Sequence, residues 1–344
     1  MKNLKYILAF SCLMFSCTSK FLKYDKEAEL AKNTEFENQV QIKELPQEAA
    51  VNVATPNLEP KQEVKPVLDK KIKSKTAKKV IGKTLLLPEP LMAQTRQPSL
   101  EDKEGFGTSR RPLNDPFKVG EKVIHSVSYF GAEAGKLTFA VKPFVEVNGK
   151  KSYNFVVDIK SSSLFSNFYS VDDQVETYVD YEELVPYVFK LKIKESGQLK
   201  EARSYFDQQT LKANYWEKKY TEKNGHEEKK LAWDLMPYSQ NAFSAVFYMR
   251  FFKWNVGQEY AFRVSDDEKN VIFKGKAIEK VKLNTNAGAF DAIKIKAEIT
   301  SRGALSQTGD LYLWVSDDEH KYMLRFEAKI KIGTIVSEVE KIVP

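Results

Sequence analysis

The sequence predicts a mainly β fold: twisted antiparallel sheets, sandwich or half-barrel like, with one short packed helix and room for two similar sheet units. Three observations predict it. In VFKLKIKE, Phe189, Leu191 and Ile193 alternate with Lys190, Lys192 and Lys194. DAIKIKAEIT and MLRFEAKIKI alternate in the same way, through Ile293, Ile295, Ala297 and Ile299 and through Leu324, Phe326, Ala328, Ile330 and Ile332. A period of two with one apolar face marks antiparallel sheet wetted on one side. Asn224-Gly225 lies between two charged runs, and this dipeptide supplies the positive φ angles of a tight hairpin turn. Only PYSQNAFSAVFYMRFFKW breaks the period: Phe243, Val246, Phe247, Arg250 and Phe251 recur at three and four. That spacing predicts a short helix packed into the core, capped by Ser239 after Pro237.

The first residues predict an address. Lys2 and Lys5 precede an apolar run from Tyr6 to Phe15, about half the roughly twenty residues a membrane span needs. A basic start, a short apolar stretch and a small residue before the cut describe a secretory signal peptide over residues 1–16. Met14-Phe15-Ser16-Cys17 resembles a bacterial lipobox, with Met14 where leucine is usual and Phe15 where a smaller residue is usual. Cys17 is thus the expected lipidation site, carrying acyl chains of the palmitate class, and the alternative is an ordinary cleaved signal. The only other cysteine is Cys12. An acylated Cys17 therefore leaves no thiol for a disulfide, a thiolate metal site or a cysteine nucleophile. Thr18 follows, not the Asp that in enteric bacteria holds a lipoprotein at the inner membrane, so outer-membrane attachment facing the periplasm is expected.

Residues 17–113 hold most of the prolines and no aromatic cluster. They read as a lipid-anchored disordered linker, because such a composition buries too little surface to offset ordering entropy. Only Ala28 to Glu44 suggests a fraying helix. As a tether, the linker would let the folded part sample tens of ångströms from its lipid. Its charge gathers in a basic run over residues 70–83. Lys70, Lys71, Lys73, Lys75, Lys78 and Lys79 are candidates for contact with anionic lipid heads or acidic groups of the cell wall, against the plainer role of keeping a linker soluble.

The β-rich domain spans residues 114–344. It carries 34 Lys/Arg against 33 Asp/Glu, within a chain of net charge +7. A domain so nearly neutral offers nothing to phosphates, and no nucleic acid is expected. Faint internal repetition supports two sheet units: Phe117-Lys-Val-Gly-Glu is echoed by Trp254-Asn-Val-Gly-Gln, and VSDDE begins at both Val264 and Val315. Chemistry has few places to reside. Asp172-Asp173, Asp266-Asp267 and Asp317-Asp318 are adjacent pairs, and neighbours on a strand point to opposite faces. Glycan hydrolysis or calcium binding would need carboxylates gathered from separate loops. His125, His226 and His320 share no ligand spacing; His125 reads as packed on a strand, the others as surface positions. No G-x-S-x-G, H-E-x-x-H or phosphate loop occurs, so no metal or cofactor is expected.

Phe117-Lys-Val-Gly-Glu, Tyr129-Phe-Gly-Ala-Glu-Ala-Gly135, Asp234 through Ser244, Tyr248-Met-Arg250, and Gly309 through Asp318 with Arg325 together carry a resemblance. From Asn114 to its end the chain resembles a bacterial family of secreted proteins, domain of unknown function 3108. Met323 stands where that family tends to carry proline. The resemblance implies a mainly β, envelope-located protein and supplies no activity. The function expected is a membrane-anchored, non-catalytic binding or assembly module, with the cell wall or an envelope protein as its partner. A carrier or sensor of an apolar ligand, using the Phe243–Phe251 stripe, and a glycan- or peptidoglycan-acting hydrolase are the alternatives.

Overall fold

A computed structural model describes residues 20–46, 111–112, 114–301, 304–305, 310–330 and 333–344. The N-terminal piece holds helices α1 (Glu27–Leu30) and α2 (Thr34–Gln39) and a short strand β1 (Ile42–Glu44). A run of hairpins follows: β2 (Lys122–Tyr129), β3 (Ala132–Val147), β4 (Lys150–Ser161) and β5 (Asp172–Asp180). It continues through β6 (Pro186–Lys194), β7 (Leu199–Asp207), β8 (Lys212–Thr221) and β9 (Gly225–Asp234). Helix α3 (Ser244–Tyr248), extended by a 3-10 turn over Met249–Phe251, leads into the second run. That run is β10 (Glu259–Asp266), β11 (Lys269–Thr285), β12 (Gly288–Ser301), β13 (Ala304–Leu305), β14 (Leu311–Ser316), β15 (Met323–Ile330) and β16 (Gly333–Val343).

All of these strands belong to one antiparallel sheet, ordered β10-β11-β12-β14-β15-β16-β2-β3-β4-β5-β6-β7-β8-β9, with β1 on β3 and β13 on β12. The fold is mainly β, as expected, and the two meanders are fused where β16 pairs with β2. Among the described residues no ladder closes the sheet into a barrel. Its edge strand β9 still meets the other edge through side chains: Trp233 Nε1–H donates to Ser265 Oγ of β10 (2.8 Å), and Asn270 Nδ2–H of β11 donates to the Asp234 carbonyl (2.9 Å). The outcome is a curled, half-barrel-like sheet.

The two meanders start alike, which explains the faint repetition. Gly120 (φ +99°) and Gly257 (φ +89°) occupy the left-handed region open to glycine. The Gly120 amide donates to Val141 O and the Gly257 amide to Ala277 O, both at 2.8 Å. Val141 N–H returns to Glu121 O (3.1 Å) and Ala277 N–H to Gln258 O (2.9 Å). Phe117 and Trp254 are both buried below these turns. The two VSDDE strings each end a strand and enter its turn, at opposite ends of the sheet.

Helix α3 lies inside the curl. Phe247 stacks on Phe155 with centroids 4.1 Å apart and planes at 9°, and Phe251 meets Phe117 edge-on at 5.1 Å. Tyr248 meets Phe262 of the second meander edge-on at 5.2 Å. The expected strand faces hold: Ile293, Ile295 and Ala297 are buried in this core. The expected cap does not. Asn241 Oδ1 accepts from the amides of Phe243 (3.0 Å) and Ser244 (2.7 Å), while Ser239 Oγ donates to Met236 O in the preceding turn. Asparagine competes as well as serine for this role, and the helix starts later than its apolar period suggests.

The linker expected over residues 17–113 is corrected at its start. Residues 20–46 lie along the sheet as a strap. Phe36 and Val40 are buried with Tyr178, Tyr187, Val188 and Trp216 on the outer face of the first meander, and Leu22 and Leu30 with Leu199. Asn33 Oδ1 caps α2 by accepting from Phe36 N–H (3.0 Å). β1 pairs with β3, Ile42 opposite Val147 and Glu44 opposite Val145. Outer-face aromatic rings need cover, and a few widely spaced apolar residues suffice to supply it. The rest of the expected linker, residues 47–110 with its basic run, lies outside the described residues.

Candidate functional site

Cys17 and the six lysines Lys70, Lys71, Lys73, Lys75, Lys78 and Lys79 also lie outside the described residues. The structure does show where their flanks emerge. At one end of the sheet, Leu22 N–H donates to Glu195 O (3.4 Å) in the β6–β7 turn, and Lys194 Nζ sits 5.8 Å from the Phe21 ring. The start of the strap is therefore fixed at that end. At the opposite end, Leu45 N–H reaches Phe144 O (3.4 Å). Arg111 there donates to Tyr153 Oη (2.6 Å), Tyr181 O (3.0 Å) and Asp115 Oδ2 (2.9 Å). Phe144 and Tyr181 touch edge-on at 5.4 Å. Leu45 and Arg111, the described residues nearest to either side of 47–110, thus lie at the same end of the sheet.

The carboxylate pairs separate as strand geometry requires. Asp172 turns outward to Lys160 (3.2 Å). Asp173 turns to Glu195, and burial followed by the Glu195 charge pushes Asp173 up to about 8. The Lys194 amide donates to Asp173 Oδ1 (3.0 Å), and Glu195 Oε2 accepts from Tyr169 Oη (2.8 Å) and Gln198 Nε2 (2.7 Å). A proton held on Asp173 relieves its like-charge repulsion with Glu195. Direct contact is closer than the ~5 Å that separates the carboxyl groups of retaining glycosidases. Asp266 is pushed up to about 6 by burial and by Asp267, which itself reaches Lys229 (3.6 Å). Asp317 meets Lys280 (2.7 Å), and Asp318 Oδ1 accepts from His320 and Lys321 amides (3.0 and 2.9 Å). Among the described residues no three His, Cys, Asp or Glu side chains gather as a metal site.

His125 is buried as expected, its Nε2 2.8 Å from Met323 O and its Nδ1 2.9 Å from Ser337 Oγ. A carbonyl only accepts, so Nε2 carries the proton and Nδ1 accepts from the serine. His226 lies 3.9 Å from Glu228 on the charged hairpin. His320 is half-buried rather than a surface position: its ring stacks on Tyr322 with centroids 5.1 Å apart, and its carbonyl accepts from Arg250.

Two of the stretches that carry the resemblance, Phe117 to Glu121 and Tyr248 to Arg250, meet in one buried cluster. Arg250 pairs with Glu121 through two nitrogens and donates Nε–H to His320 O (2.8 Å) and Nη2–H to Pro116 O (2.9 Å). The guanidinium lies over the rings of Phe117 (4.4 Å) and Tyr322 (5.0 Å). Every part of it is engaged, so the cluster locks α3 to β2 and to the β14–β15 corner. Sequence reasoning singled out these stretches without seeing that they meet, since 129 positions separate the partners.

A family model described as "Protein of unknown function (DUF3108)" matches residues 125–340, more than half of the chain. No curated protein sequence matches. Among solved structures, a β-barrel-like protein of domain of unknown function DUF1849 from Brucella abortus aligns with TM-score 0.40 and 8% identity, over 65% of this chain and 97% of that one. A candidate exported protein with a YmcC-like fold from Bacteroides fragilis aligns with TM-score 0.31 and 11% identity, over 67% and 99%. A candidate lipoprotein from Parabacteroides distasonis aligns with TM-score 0.31 and 12% identity, over 68% and 100%.

Proposed function

The chain belongs to the family of proteins of unknown function DUF3108, and from that premise we propose that it is a lipid-anchored envelope protein whose β-domain is a non-catalytic binding or assembly module. Cys17 is its acylated N-terminus, and the outer membrane, on the periplasmic side, is its location. The observation that carries this reading is the polarity of the fold. The strap begins at one end of the sheet, beside Glu195, while the excursion over residues 47–110 is flanked at the other by Leu45 and Arg111. A lipid on Cys17 would hold the first end to the membrane and point the excursion away from it.

The basic run sits near the middle of that excursion. From a pinned end, a chain of ~30 residues has a typical span of roughly 30 Å and a stretched limit near ~100 Å. Lys70, Lys71, Lys73, Lys75, Lys78 and Lys79 would then touch anionic groups of the cell wall. The packing favours a module over a carrier, because Phe247 of the apolar stripe stacks on Phe155 in the aromatic core.

Changing those six lysines to Gln tests the reading. Sedimentation of the mature chain with purified cell wall should fall, and salt should mimic the loss, with screening beyond ~8 Å at physiological strength. Equal sedimentation of the variant would leave the excursion a spacer and place any partner on the β-domain alone. Density fractionation tests the location: a protein found solely with inner-membrane markers is in the wrong membrane for this account.

A further inference from the structure

We propose that the end of the sheet from which the strap starts rests on the lipid bilayer, with Phe130, Leu164 and Phe168 inserted into its interfacial layer. These three are the most exposed large apolar side chains among the described residues, at 76%, 76% and 79%. A single exposed leucine needs no explanation, but several gathered at one end of a molecule mark a contact surface.

The three belong to one continuous rim. Phe130 is at the tip of the β2–β3 hairpin, and Leu164 and Phe168 are in the β4–β5 connection. Ser162 N–H donates to Ala134 O (2.9 Å) and Ser162 Oγ–H to Glu133 O (3.0 Å), which ties that connection to the hairpin. Ser196 N–H donates to Ser170 O (3.1 Å), and Val171 bridges Glu195. Glu195 O in turn holds Leu22. The rim therefore runs unbroken from Phe130 to the start of the strap.

Phe130 is also an odd choice for its turn. It has φ 51° and is followed by Gly131 at φ 76°. A hairpin tip with positive φ at both residues favours Asn, Asp or Gly, and a bulky side chain there is strained. The ring leans on Tyr129 at 4.4 Å yet stays largely exposed. Turn geometry does not ask for an aromatic residue here, and contact with a surface outside the chain would use the face that Tyr129 and Gly333 leave open.

A bilayer is the occupant because of what lies just upstream. Cys17 is five residues before Leu22, a reach of at most about 17 Å. This part of the argument rests on the reading of Cys17 as the lipid-bearing residue. On so short a leash the domain cannot turn its far end to the membrane, and the rim must face it. Aromatic side chains at the headgroup level and exposed lysines beside them, here Lys20 and Lys23, suit that boundary.

Acylation of Cys17 leaves the mature chain without a thiol, so nitroxides can be placed singly by Phe130→Cys, Leu164→Cys and Phe168→Cys. Asn286→Cys, in the β11–β12 turn at the opposite end, serves as the reference. The full lipidated protein is reconstituted in vesicles of phosphatidylethanolamine and phosphatidylglycerol. The three rim labels should gain several-fold in collisions with oxygen relative to a water-soluble nickel chelate, and the Asn286 label should not. Independently of any label, Leu164→Ser with Phe168→Ser should weaken partitioning of the unlipidated mature chain into the same vesicles about tenfold, with an unchanged melting temperature. The mass of the N-terminal peptide reports acylation separately. An acylated protein whose rim labels stay as aqueous as Asn286 overturns this inference alone, including the case in which only added envelope protein shields them. An unacylated protein whose serine variant still loses vesicle binding supports the rim contact and overturns the anchor reading. Loss of both acylation and rim insertion overturns both.

Discussion

Arg250 on the central helix and Glu121 at the head of β2 form a two-point ion pair with side chains only 4% and 2% exposed. Removing one partner strands the other charge in the core, at a cost of about 3–5 kcal/mol. Glu121→Ala and Arg250→Ala should each lower the urea midpoint accordingly. The double variant Glu121→Leu with Arg250→Met should recover much of the loss, because no unpaired charge remains. Single variants that lose under about 1 kcal/mol would show that the pair is solvated.

His125 makes the fold acid-sensitive. Burial lowers it from 6.5 to about 4. The folded state therefore binds fewer protons than the unfolded chain between those values, and stability falls as pH drops through that window. At about 1.4 kcal/mol per pH unit the loss is on the order of 3 kcal/mol. His125→Gln should flatten the melting temperature between pH 6.5 and 4; an unchanged slope assigns the acid loss to other groups.

Asp173 acts in the opposite direction. Its pKa is raised from 3.8 to about 8, so the folded state holds a proton that the unfolded chain releases. That contribution is whole below pH ~4 and is lost as pH rises toward ~8. The His125 slope masks it up to pH 6.5, which leaves the interval from 6.5 to 8 as the clear window. Asp173→Asn keeps a donor toward Glu195 and an acceptor for the Lys194 amide. It should raise the melting temperature at pH 8 with little change at pH 4. A melting temperature unmoved at pH 8 means that Asp173 does not hold its proton in the folded state.

The strap should survive separation from the sheet domain's chain. Limited proteolysis is expected to cut within residues 47–110 and leave residues 20–46 bound to the larger piece on gel filtration. Phe36 is buried edge-on to Trp216 at 6.0 Å, and its loss to Ala costs about 3–5 kcal/mol of local packing. Phe36→Ala should therefore release the small fragment and speed amide exchange across α2. A small fragment lost from the unmutated protein would return the strap to the status of a linker.

Strand faces and the packed helix were legible in the sequence because their signal is local. Lys190, Lys192 and Lys194 name the opposite face from Ile193 without any knowledge of the fold. The strap was not legible: Leu22, Leu30, Phe36 and Val40 are isolated apolar residues among charges. Their worth depends on Trp216 and Tyr187 lying bare beneath them. The half-buried place of His320 was hidden as well, since it depends on Arg250 arriving from the central helix. The partnership of Asp173 with Glu195 depends on strand register, which a one-residue slip would abolish. The exposure of Phe130 and Phe168 is not local either, since it follows from the β2–β3 turn and the β4–β5 connection that carry them.

The central claim is that this domain is held at a membrane by the residue just ahead of its strap. The mass of the N-terminal peptide, taken from protein recovered in envelope membranes, tests it most directly. The account predicts a peptide that begins at Cys17 and carries acyl chains, with Cys17→Ser protein moving to the soluble fraction. A peptide that begins elsewhere, or at an unmodified Cys17, would contradict it.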